Sequence, residues 1–124
     1  MILAIDIGNT KIKLGIFKNK KLIYSSSFDN DKNVLNKLLS FNKYSIKSII
    51  ISSVVPELTP IFKKKLEKKI NISPLIVDYN NSKLLLEVNE PDTVGADRLC
   101  NIKATVELYS TPAIIIDFGT ATTF

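Results

Sequence analysis

An apolar run ending in an aspartate, a glycine and then hydroxyl or amide side chains is written twice in this chain. The copies are Ile5-Asp6-Ile7-Gly8-Asn9-Thr10 and Ile114-Ile115-Ile116-Asp117-Phe118-Gly119-Thr120-Ala121-Thr122-Thr123. In each, the run delivers a carboxylate to the end of a strand, and the glycine lets the backbone turn where a side chain would obstruct it. Such a turn offers backbone N–H groups, a hydroxyl and an amide to an anion, while the carboxylate orients a metal ion or a water. Either copy alone is also an ordinary hairpin turn. As a pair separated by a domain-sized stretch they suggest an internal duplication, and two such turns facing each other would grip a polyphosphate from both sides.

A chain of 124 residues suits one ordinary domain with a single core. Its 45% hydrophobic and 23% charged residues are the balance of a folded globular protein rather than a disordered one. No apolar run approaches the roughly 20 residues that span a bilayer, and Asp6 and Lys11 already interrupt the amino-terminal run. The expectation is a cytoplasmic protein without a signal peptide and without a membrane partner. Cys100 is the only cysteine and there is no histidine, which excludes an intrachain disulfide, the common zinc constellations and histidine acid–base chemistry. Any general base must be a carboxylate, a lysine or a tyrosine. The net charge of +5 admits an anionic partner, but arginine occurs once and lysine many times. That balance describes a solvated lysine surface better than a nucleic-acid face.

Along the chain, Lys11 to Phe17 alternates as the returning arm of a hairpin. Lys18-Asn19-Lys20-Lys21 reads as a polar turn, and Leu22 to Phe28 as a third antiparallel strand. Asp29, Asn30 and Asp31 are cap-type residues before Val34, Leu35, Leu38 and Leu39, whose spacing predicts a helix over residues 31–41. Residues 48–55 form an apolar run interrupted by Ser52-Ser53 and stopped by Pro56, the pattern of a strand covered on both faces. Leu58, Phe62, Leu66 and Ile70 make one helical stripe, with Lys63, Lys64, Lys65, Lys68 and Lys69 on its polar side. A short strand is expected over residues 73–77, a polar loop over 78–93, a helix with the stripe Leu99, Ile102, Val106 and Tyr109, and a last strand over 113–116. Strands first in a meander and then alternating with helices describe an α/β domain with a mixed sheet.

Val94-Gly95-Ala96-Asp97-Arg98, at the start of that helix, is the other stretch with chemistry. Arg98 is the only arginine, and its planar five-donor fork matches a carboxylate or a phosphate. Asp97 falls in the first helical turn, where the helix dipole favours an ionised carboxylate by about 0.3–1 kcal/mol. The plainer reading is a helix start with a surface ion pair.

In this order, Asp6 to Thr10, Val94 to Arg98 and Asp117 to Thr123 together resemble the type III pantothenate kinases. These belong to the superfamily of acetate and sugar kinases, chaperone ATPases and actin, whose members bind ATP between two ribonuclease-H-like domains. The resemblance implies a ribonuclease-H-like (actin-like ATPase) domain over residues 1–111. It implies over residues 112–124 the first strand and second phosphate turn of another such domain, so that the chain corresponds to the amino-terminal half of a family member.

By the same resemblance Asp6, Ile7, Gly8, Asn9, Thr10, Lys11, Ile12 and Lys13 form the first phosphate loop, and Thr120 contacts ATP from the second. Gly95, Ala96, Asp97 and Arg98 bind pantothenate, Asp97 as the base that takes the proton of the attacking hydroxyl and Arg98 as the holder of the substrate carboxylate. Asp117 would ligate a monovalent cation, K⁺ or NH₄⁺, and Mg²⁺ would arrive with ATP. Full-length members are typically homodimers. In one place the sequence departs from the family pattern: where members often carry a tyrosine that contacts pantothenate, Val88-Asn89-Glu90-Pro91 keeps only the proline. The function implied is ATP-dependent phosphorylation of pantothenate to 4′-phosphopantothenate, the first step of coenzyme A synthesis, incomplete or inactive in the fragment alone. The alternatives are a non-catalytic relic or regulatory binding domain of the same fold and, more weakly, a nucleic-acid binder.

Overall fold

The computed structural model describes residues 1–30, 34, 44–118 and 122–123. They fall into two compact units, Met1–Ile76 and Val77–Phe124. The first contains strands β1 (Ile2–Ile7), β2 (Lys11–Lys18), β3 (Lys21–Asp29), β4 (Ser48–Ser53) and β5 (Leu75–Ile76), and helix α1 (Thr59–Ile70). The strands form one sheet in the order β3-β2-β1-β4-β5. β2 is antiparallel to β1 and β3, whereas β4 runs parallel to β1 and β5 parallel to β4. This is the expected mixed α/β sheet, consistent with an actin-like ATPase fold.

Alternation explains the sheet's two faces. Leu3, Ile5 and Ile7 of β1 and Ile12, Leu14 and Ile16 of β2 are buried on one face, joined by Ile49 and Ile51 of β4 and by Phe62 and Leu66 of α1. Ala4 and Asp6 therefore point to the other face. The helix expected over residues 31–41 lies outside the described residues except for Val34, which is helical and buried in this core. The polar turn between β2 and β3 is made by Asn19 and Lys20, both left-handed at φ 50 and 64. Such a pair matches the twist of the flanking strands. The lysines of α1 are exposed, and Lys68 and Lys69 occupy its last turn, where the helix dipole favours cations.

Several boundaries differ from the sequence reading. β4 stops at Ser53 rather than at residue 55, because the Ser53 hydroxyl accepts from the Val55 N–H at 3.2 Å and from the Thr59 hydroxyl at 2.8 Å, folding the chain into α1. β5 keeps only Leu75 and Ile76 of the expected 73–77.

In the second unit, the expected loop over 78–93 holds a short helix, α2 (Tyr79–Ser82), capped reciprocally by Asp78 and Asn81. A 3-10 turn follows at Pro91–Thr93. Helix α3 (Ala96–Leu108) starts where expected, with Gly95 as its N-cap. Its apolar stripe is buried only at Leu99. Ile102 is half-buried, while Val106 is 53% and Tyr109 72% exposed, the latter extended at the C-cap. The strand expected over 113–116 is not one: those residues pair with no described strand, and the ladder begins later, between β6 (Asp117–Phe118) and β7 (Thr122–Thr123). No described helix is long and apolar enough to cross a membrane.

Candidate functional site

The first unit gathers one set of the expected residues at the end of β1. Asp6 pairs across the ladder with Lys13 on β2 and with Ser52 on β4, so the three side chains share the face opposite the core. Ser52 is buried, and its hydroxyl donates to Asp6 Oδ1 at 3.2 Å. The sequence did hint at this serine: it interrupts an otherwise apolar strand.

Beyond Ile7 the chain reverses through Gly8, Asn9 and Thr10, closed by a bond from the Gly8 N–H to the Lys11 carbonyl at 2.9 Å. Gly8 does not have a left-handed backbone. Its constraint is proximity, since a Cβ there would lie 3.0 Å from the Lys11 carbonyl oxygen. Lys11 forms an exposed ion pair with Asp29 at 3.5 Å. Pairs of this kind contribute about 0–1 kcal/mol and exchange readily for another anion. Ile12, assigned to the same loop by resemblance, is fully buried, so its part is to anchor the turn in the core.

Asn30, read from sequence only as a cap-type residue, reaches back to this turn. Its Nδ2 donates to the carbonyls of Gly8 at 3.0 Å and Asn9 at 3.3 Å, and its backbone N–H donates to the Thr10 carbonyl at 2.9 Å. No local pattern announces a contact across so long a stretch of chain.

The second unit gathers another set. Arg98, Asn101 and Ile102 line one side of a cleft of about 370 Å³, and Ala113, Ile114, Ile115 and Asp117 line the other. Arg98, Asn101 and Ile102 are spaced to share one face of α3. Asn101 Nδ2 donates to Asp117 Oδ2 at 3.3 Å, linking the helix to the strand that carries the second acid. Asn101 was not among the residues expected, although its helical spacing from Asp97 and Arg98 was a usable signal. Arg98 is exposed and makes no ion pair among the described residues, unlike the plainer reading of the sequence. Asp97 lies beside the cleft rather than in its lining, half-buried, with Oδ1 accepting from the Arg98 N–H at 2.8 Å. Gly95 and Ala96 position it as N-cap and first helical residue. Val88 is 52% exposed in the segment before the 3-10 turn.

The two copies of the motif place their acids alike relative to the last paired residue, although the pairing is offset by one residue between them. In the first hairpin the last pair before the turn is Ile7 with Ile12, and Asp6 pairs next, with Lys13. In the second it is Phe118 with Thr122, and Asp117 pairs next, with Thr123. Each acid thus stands one residue back from its turn. Thr120 lies outside the described residues. Among those described there is no cluster of three or more histidine, cysteine or carboxylate groups able to hold a metal ion.

Comparison with known proteins adds to this geometry. A family model described as type III pantothenate kinase matches residues 2–124. A type III pantothenate kinase of Finegoldia magna is 40% identical over all of this chain and 52% of its own length. One of Thermomicrobium roseum is 39% identical with the same coverage. The chain spans about half the length of these curated relatives.

Proposed function

This chain belongs to the type III pantothenate kinase family, and we propose that it supplies the amino-terminal half of an enzyme that transfers the terminal phosphoryl group of ATP to pantothenate. The observation that carries the reading is the cleft in which Arg98, an arginine without an ionic partner among the described residues, stands with Asp117 and Asn101 beside the half-buried carboxylate of Asp97. Phosphoryl transfer asks a protein mainly to position its reactants and to offset charge on the phosphoryl oxygens. A chain without histidine can meet both demands.

In this mechanism the turn from Asp6 to Lys13 receives the nucleotide phosphates, with Lys13 adding positive charge and Thr120 a hydroxyl. Arg98 holds the pantothenate carboxylate through its paired N–H groups. Asp97 accepts the proton from the primary hydroxyl as that oxygen bonds to the terminal phosphorus, and the bond to the departing ADP oxygen breaks. Asp117 offers an exposed carboxylate already oriented by Asn101, the oxygen-donor chemistry that suits K⁺ or NH₄⁺. Such a cation would supply positive charge to offset the negative charge developing in the transfer. Mg²⁺ arriving with ATP would add positive charge at the phosphoryl group and would require no dedicated protein cage. A cytoplasmic location and a homodimer of the complete enzyme go with this reading.

The test is ATP-dependent formation of 4′-phosphopantothenate by this chain supplied with a carboxy-terminal half such as the relatives possess. Absence of that product from a folded assembly overturns the reading. Arg98→Lys keeps the charge but loses the fork, and is expected to raise KM for pantothenate about tenfold or more with KM for ATP unchanged. An unaltered KM for pantothenate would remove Arg98 from substrate binding.

A further inference from the structure

Asn30 is the side chain whose bonds no role described so far explains. It follows the end of β3, more than a hairpin away in sequence, and its amide donates to the carbonyls of Gly8 and Asn9, while the backbone N–H of the same residue donates to the Thr10 carbonyl. The Gly8–Asn9 and Asn9–Thr10 peptides are trans. In a trans peptide the C=O and N–H point in opposite directions. Holding the Gly8 and Asn9 carbonyls toward Asn30 therefore directs the N–H groups of Asn9 and Thr10 to the far side of the turn. Successive N–H groups turned the same way form a concavity suited to a phosphate oxygen. Gly8 adds to the constraint, because its N–H is engaged by the Lys11 carbonyl, whose oxygen would stand only 3.0 Å from a Cβ at that position.

Resting on the reading of residues 6–13 as the first phosphate loop, we infer that Asn30 is a positioning residue for nucleotide binding. It fixes the peptide orientation of the turn without touching the nucleotide, which identifies its beneficiary as the phosphate chain of ATP and not pantothenate. Its side-chain amide is the working part. The backbone N–H of residue 30 bonds Thr10 whatever the side chain is.

Two variants separate these contributions in the kinase assembled from this chain and a carboxy-terminal half. Asn30→Ala removes the amide. Asn30→Asp keeps its size and the backbone bond but cannot donate to carbonyl oxygens. Each is expected to raise KM for ATP about tenfold while KM for pantothenate stays within about twofold. Unchanged KM for ATP in both variants, or an equal rise in both KM values, overturns the inference. So does failure of both variants to fold by circular dichroism, which would give Asn30 a purely architectural role. If only the alanine variant fails to fold, the aspartate variant decides. Gly8→Val distinguishes the two levels of the claim, since it presses a branched side chain onto the Lys11 carbonyl. A raised KM for ATP in Gly8→Val with no effect in the Asn30 variants refutes the positioning role alone. No effect in Gly8→Val removes the turn from nucleotide binding, and the role of Asn30 with it.

Discussion

Asp97→Asn is expected to lower kcat of the complete kinase by about 10²- to 10⁴-fold, the usual contribution of a positioned general base. The substitution isolates the chemistry from the fold. Asp97 Oδ1 accepts the Arg98 N–H in the first turn of α3, and the asparagine amide oxygen can accept the same bond. What asparagine lacks is the capacity to take a proton, together with a favourable helix-dipole interaction of about 0.3–1 kcal/mol. The helix start should therefore survive, with KM values little changed, and single-turnover kinetics should show the loss in the chemical step. A kcat within threefold of the native value would exclude Asp97 as the base and leave it a capping residue.

The largest stability effect is expected on the other unit, at Phe62. It is 1% exposed and packs in the cluster formed by Leu3, Ile5, Ile7, Ile49, Ile51 and Leu66. Truncating a buried phenylalanine to alanine costs about 3–5 kcal/mol, from lost transfer energy and the cavity left behind. Against a total of about 5–15 kcal/mol for a domain, that is a large fraction. Phe62→Ala should lower the urea midpoint of the 124-residue chain far more than Val106→Ala. Val106 is 53% exposed on α3, where truncation should change stability by only about 0.5 kcal/mol. Equal shifts for the two would mean that α1 does not hold the sheet together.

What could be read from the chain was whatever rests on local periodicity. Ile12, Leu14 and Ile16 alternate with polar or small neighbours and became the buried side of β2. Phe62 and Leu66 repeat at helical spacing and became the buried side of α1. The start of α3 was legible because glycine followed by an acid in the first turn is a local helix signal, and Arg98 stood out by being the only arginine. The failures have the opposite character. Residues 113–116 are apolar enough for a strand, but a strand needs a partner, and pairing is a property of the whole sheet. The stripe of α3 was periodic without being buried beyond its first half, because periodicity names a face and not what covers it. Asn30 and Asn101 each work through a bond to a segment distant in sequence, and although helical spacing marked the face of Asn101, nothing local marked either partner. An asparagine carries no mark of which distant carbonyl or carboxylate it will meet.

β1 is paired on both edges, and its side chains alternate between the core and the face that carries Asp6. A slip of one residue in its pairing would therefore do two things together. It would bring Ile5 out to the polar side and drive a carboxylate into the hydrocarbon interior. An isolated charge there is among the most unfavourable arrangements a protein can adopt. The strand that presents the acid is thus self-proofreading in an energetic sense, because misalignment is penalised on both faces of the sheet at once.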